Sequence, residues 1–248
     1  MKLRRSRIFW STVLLFIFIP LMLGLLLFIS RNPEISKKLG LVGTKAELFK
    51  TDDWSGFYTL VKQSIATIGL IGFGFVTTWV FGREYTDRTL KDILVMPVSR
   101  QSIICSKFVV VILWCFLLSI VFLSTSIFIG YLMNIPGIYE EGRGIQINGY
   151  FSVSLLTLAL STPVAFVCVY SRGLIAPLAF AILTLICAQF AAMTGIGQFF
   201  PWAVPGILTV INEVEGFNIN MASYIILGLT SISGFTGTIL WWRYADHH

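Results

Sequence analysis

From Gly173 to Asn212 the chain runs for 40 residues without one charged side chain, which places that stretch in lipid rather than in water. One helical crossing of about 30 Å of hydrocarbon uses about 20 apolar residues, so the run is too long for a single span. Pro201 and Pro205 interrupt its second half, removing backbone donors that a second full crossing would need. The sequence therefore predicts a span to about Gly195, then a broken apolar hairpin over 196–212, FFPWAVPGIL. The hairpin is expected to dip into the outer leaflet with Trp202 near the interface. The rest of the chain has the same character, 56% hydrophobic and 12% charged with a mean hydropathy of +0.83, where soluble domains carry about a quarter charged residues. We read 1–248 as a single all-α integral membrane domain.

Six spans are placed at about 8–30, 61–82, 108–133, 149–171, 173–195 and 221–242. The first comes after Lys2, Arg4, Arg5 and Arg7; it is longer than the core of a cleaved signal and lacks a small-residue cleavage site, so it reads as an anchor. Residues 31–60 form a loop with interfacial aromatics, in which Asp53 can cap a short helix leading into the second span. That span carries Gly69, Gly72, Gly74, Thr77 and Thr78, small residues that let helices approach closely, and reads as an interior helix. Ser171-Arg172-Gly173 is a tight turn. In the sixth span Thr230, Gly234 and Thr238 repeat at every fourth position as a close-packing stripe. With the N-terminus inside, the inner segments hold Lys2, Arg4, Arg5, Arg7, Arg83, Arg88, Lys91, Arg100, Lys107, Arg172 and Arg243 against Glu84, Asp87, Asp92 and Asp246. That excess puts both termini and residues 83–107 in the cytoplasm. The formal net charge of +6 thus follows the membrane and does not indicate nucleic acid.

Residues 83–107 are a strongly charged stretch between two long apolar runs. As a helix they would set Glu84 against Arg88 and Asp87 against Lys91, acid-first pairs four residues apart, with Leu90, Ile93 and Leu94 on the other face. Pro97 turns the segment and Ser99 can cap the helix beyond it. The plain alternative is a loop kept in water by its charges. No charge falls in the centre of any span, which argues against an ion-driven carrier. Gln63, Thr184 and Gln189 could line a path or simply bond to neighbouring helices. The two histidines, His247 and His248, are terminal and resemble a tag stub, so neither HExxH nor serine–histidine chemistry is available. Residues 40–45, GLVGTK, lack the order and spacing of a phosphate loop. Cys105, Cys115, Cys168 and Cys187 form no CxxC pair, and all but Cys105 fall in apolar runs; they read as small buried residues rather than disulfides or metal ligands.

The wording of the charged stretch, Gly-Arg-Glu-Tyr-Thr-Asp-Arg-Thr-Leu-Lys-Asp-Ile-Leu and then Met-Pro-Val-Ser-Arg, resembles the cytoplasmic loop of ABC-2 type transporter permeases, particularly the small bacitracin and lantibiotic immunity group. Tyr170-Ser171-Arg172-Gly173 with IAPLAFAILTLI, and Gly197 to Trp202, are similar to the second half of the same permeases. The resemblance implies a permease subunit in a bacterial plasma membrane, with an N-terminal elbow helix, a coupling helix and a re-entrant outer hairpin between the fifth and sixth spans. It implies two copies of a separate cytoplasmic ATPase that bind ATP and magnesium, and a second permease, identical or related. By position, Glu84, Tyr85, Asp87, Arg88, Leu90, Lys91, Leu94, Pro97 and Arg100 would face the ATPase, and Phe199, Phe200, Pro201, Trp202 and Pro205 would form the outer gate. The expected activity is export of an amphipathic substrate such as an antimicrobial peptide. A non-transporting membrane anchor or sensor is the alternative.

Overall fold

The computed structural model describes residues 7–32, 53–87, 99–136, 143–210 and 219–244, and among them it is helical with no strand. The helices are α1 (Arg7–Arg31), α2 (Trp54–Thr86), α3 (Arg100–Leu132), α4 (Arg143–Ala159), α5 (Ser161–Ser171), α6 (Ile175–Met193), α7 (Val204–Val210) and α8 (Met221–Tyr244), with a 3-10 turn at Gly197–Phe199. Among the described residues, six stretches are long and apolar enough to cross a membrane: α1, α2, α3, the joined α4–α5 over Ile147–Ser171, α6 and α8. In lipid every backbone polar group must be satisfied within the segment, which is why apolar runs of this length fold as helices. Their hydroxyls follow the same rule by donating back one turn, as Thr77 does to the Phe73 carbonyl and Ser126 to that of Phe122, each at 2.8 Å.

Both long helices beside the charged stretch begin on a side-chain cap. The Gly56 amide donates to Asp53 Oδ1 at 3.0 Å and the Ser102 amide to Ser99 Oγ at 3.2 Å, each satisfying an orphan donor of a first turn. Asp53 thus caps α2 itself, which is continuous for 33 residues, rather than a short helix ahead of it. Trp54, Phe57 and Tyr58 are buried in its first turns rather than placed in a loop. At its other end α3 closes on Asn134 in the left-handed region (φ 49°), with the Ile135 amide donating to the Gly130 carbonyl at 3.3 Å.

The chain divides into two compact units, Met1–Gln63 with Leu117–Phe151 and Ser64–Phe116 with Ser152–His248. In the first, Phe16 of α1 meets Phe122 of α3 edge-on at 6.1 Å, and Gly24 gives room to Ile129. Trp54 and Phe57 fill the place where a Cβ on Gly130 would stand. Tyr150 donates its hydroxyl proton to the Ser119 carbonyl at 2.9 Å.

In the second unit α4 and α5 are separated by Leu160, three residues before Pro163. Proline donates nothing to the Ala159 carbonyl; the Thr162 hydroxyl stands 3.0 Å from that carbonyl and 2.7 Å from the Ser231 carbonyl of α8. Gly234 and Thr238 of the predicted stripe are buried, and Gly234 abuts the Thr162–Pro163 backbone. Between α5 and α6 the turn passes through Arg172 in the left-handed region (φ 53°). One apolar-run thiol departs from expectation: Cys187 is exposed, while Cys115 and Cys168 are buried. Its helix turns Ile182, Leu183, Ile186 and Phe190 outward, so Cys187 shares an apolar face.

Candidate functional site

The charged stretch is helical at both ends, because Arg83–Thr86 is the last turn of α2 and Arg100–Lys107 the first two turns of α3. Arg88, Leu90, Lys91, Leu94 and Pro97 lie outside the described residues. At the root of the stretch Lys107 Nζ donates to Glu84 Oε2 at 2.5 Å, and the lysine is only 8% exposed. The ammonium also lies over the Phe81 ring at 5.4 Å and the Trp242 ring at 5.2 Å, geometry in which ring faces attract a cation. Phe81 packs on Phe108 and Phe108 on Phe235, with centroids 4.9 and 4.8 Å apart. Tyr85 meets Trp242 edge-on at 6.1 Å. One ion pair and a row of rings therefore join the ends of α2, α3 and α8.

The α5–α6 turn joins the same cluster. Cys168 Sγ lies 3.6 Å from the Thr78 carbonyl and 3.5 Å from that of Gly173. Gly82 sits where Leu174 and Cys168 press against α2, leaving no room for a Cβ. Desolvating two charges costs several kcal/mol per ion, and their attraction offsets this only in good geometry. A buried pair at the base of a charged segment is thus better suited to fixing one arrangement than to adding stability.

Glu84 and Tyr85, expected on a partner-facing surface, are turned inward. Glu84 pairs with Lys107 across 23 positions of sequence. Asp87 pairs with Arg83 at 2.9 Å on the exposed side, where an ion pair contributes little to stability. Arg100 is exposed at the start of α3. Sequence reasoning missed Lys107 because the four-residue pairing rule sees only one helix at a time. The available signal was the Ser99 cap, which sets Lys107 two turns inside α3 rather than at the end of a loop.

The predicted gate residues fall between α6 and α8. Gly195 turns the chain with φ 78°, and Gly197 lies against Ile207 and the Ala192 backbone where a Cβ would clash. Phe199 is exposed, whereas Pro201 and Pro205 are buried. Trp202 is half-buried, 5.7 Å from Phe180 and 5.5 Å from Phe200. It also packs on two apolar clusters, Leu160–Val204–Leu227 and Ala188–Ala203–Ile207. Its indole N–H is buried with no hydrogen-bond partner among the described residues. Thr184 is buried with its hydroxyl bonded to the Ala181 carbonyl at 3.0 Å, and Gln189 is exposed on α6.

Residues 1–188 match the family described as ABC-2 family transporter protein. The chain is 25% identical over 187 residues to the bacitracin transport permease protein BCRB of Bacillus licheniformis, covering 74% of this chain and 88% of that protein. No solved structure matches the chain. The family match takes in α1 to α5, most of α6, and both Glu84 and Lys107. With six apolar helices able to cross a membrane and three quarters of its length in that match, this multi-pass membrane protein belongs to the ABC-2 transporter family.

Proposed function

We propose that the chain is the permease subunit of a bacterial ABC-2 type exporter that moves an amphipathic substrate, driven by a separate cytoplasmic ATPase. The observation that carries the reading is the similarity to a bacitracin transport permease over 88% of that protein. For the substrate it favours an amphipathic antimicrobial peptide. Two ATPase copies hold ATP and magnesium, and a second permease, identical or related, completes the complex. Both termini and residues 83–107 are cytoplasmic, in keeping with the excess of basic residues on that side.

In this reading the N-terminal segment is the elbow helix, and residues 87–100 form the coupling surface. Asp87 and Arg100, both exposed, face the ATPase with Arg88, Leu90, Lys91, Leu94 and Pro97, while Glu84 and Tyr85 form the root behind them. Residues 196–212 are the re-entrant outer gate. ATPase closure pushes on the coupling surface, and the helices rooted there rearrange around a path between the permeases.

The test is purification from the native membrane in nanodiscs, then mass spectrometry and an ATPase assay with added bacitracin. The reading predicts a retained ATPase whose turnover rises with the peptide. Recovery of this chain alone, under conditions that keep known complexes intact, would move the assignment to a membrane anchor or sensor.

A further inference from the structure

We infer that Lys107 is a positioning residue for energy coupling, clamping the two ends of the charged segment so that α2, α3 and α8 receive its displacement together. Only the thirteen residues 87–99 separate α2 from α3. Glu84 stands in the last turn of α2 and Lys107 two turns into α3, so their contact closes the base of that segment. The two residues differ sharply from the exposed Arg83–Asp87 pair one turn away, since the Lys107 and Glu84 side chains are only 9% and 19% exposed. The Trp242 ring against the ammonium, with Tyr85 against Trp242, extends the clamp to α8. Without the clamp, a push on the segment could part the ends of α2 and α3 rather than move them as one body.

Stability alone does not account for this arrangement. An apolar pair of similar volume would hold a buried site at least as well, whereas removing one partner strands a buried charge. An ion pair adds directionality, since it resists relative sliding of the two helix ends through an oriented, charge-assisted hydrogen bond. The inference rests on the permease reading and deepens it by naming the residue through which the segment acts.

The experiment compares the unaltered chain, Lys107→Arg, and the apolar double variant Glu84→Leu with Lys107→Met, each co-expressed with its ATPase. The readouts are ATPase retained on purification, unstimulated turnover, and stimulation by bacitracin. The double variant should insert and retain ATPase while stimulation falls about five-fold or more. Lys107→Arg, which keeps both the pair and the ring stacking, should retain at least half of the stimulation. Full stimulation in the double variant would overturn the inference and leave the pair a packing feature. If the double variant misfolds, Lys107→Arg decides: stimulation above half supports the inference, and loss with normal ATPase retention overturns it. Failure of the unaltered chain to retain an ATPase is read in its own arm and removes the permease reading itself.

Discussion

Gly234 of α8 lies directly against the kink between α4 and α5: a Cβ built on it would stand 2.5 Å from the Pro163 nitrogen and 2.7 Å from the Thr162 carbonyl carbon. Those neighbours are backbone and cannot rotate aside. Gly234→Ala should therefore force α8 away and destabilise the protein by about 1–3 kcal/mol, the usual range for overpacking. Gly228→Ala, one helix face away with nothing within 4 Å of its Cβ, is the neutral control. Thermal unfolding in detergent distinguishes them, and equal midpoints would refute the close approach.

One hydroxyl stands at the same break. Thr162→Val removes the polar group that stands beside both the Ala159 and Ser231 carbonyls at this break, keeping the side-chain volume. The expected cost is about 0.5–1.5 kcal/mol, again read as a lowered unfolding midpoint. No change would mean that the Thr162 hydroxyl does not hold the kink.

Most of the helix plan was legible because lipid leaves apolar runs little choice of secondary structure, and the Asp53 and Ser99 caps were visible as residue types in the right places. The root of the charged segment was not. Glu84 meets Lys107 through the antiparallel approach of two helices, and no local periodicity encodes a partner 23 residues away. Trp54, Phe57 and Tyr58 look like interfacial aromatics in sequence, yet Gly130 on another helix makes the space that Trp54 and Phe57 fill. Between α6 and α8 the two prolines announced a break, but nothing in the sequence separated exposed Phe199 from half-buried Trp202.

That separation predicts different sensitivities. Trp202→Ala should cost about 2–3 kcal/mol, somewhat less than full burial of a large aromatic would imply, because it strips packing from Phe180, Phe200 and both clusters. Phe199→Ala should change stability by less than about 0.5 kcal/mol. Comparable losses for the two would contradict the packing of Trp202.

Thiol accessibility offers a test without substitution in the core. Cys105 is exposed in the second turn of α3, Cys115 and Cys168 are buried, and Cys187 is exposed on an apolar face of α6. Maleimide reacts with the thiolate, which needs water. A charged maleimide should label Cys105 in inside-out vesicles and spare the other three until the protein is denatured. Mass spectrometry of the labelled peptides reads the outcome, and labelling of Cys168 in the folded protein would break the packing beneath Gly82.

The proposed function has an ATPase act on this permease at the segment between α2 and α3. The most direct measurement is photo-crosslinking in native membranes from a reactive amino acid placed at Asp87, at Arg100 or, for comparison, at Phe199, which the proposed function puts on the outer side. The predicted result is an adduct with an ATPase subunit from positions 87 and 100 and none from 199. Absence of an ATPase adduct at 87 and 100, or its appearance at 199, would contradict the claim.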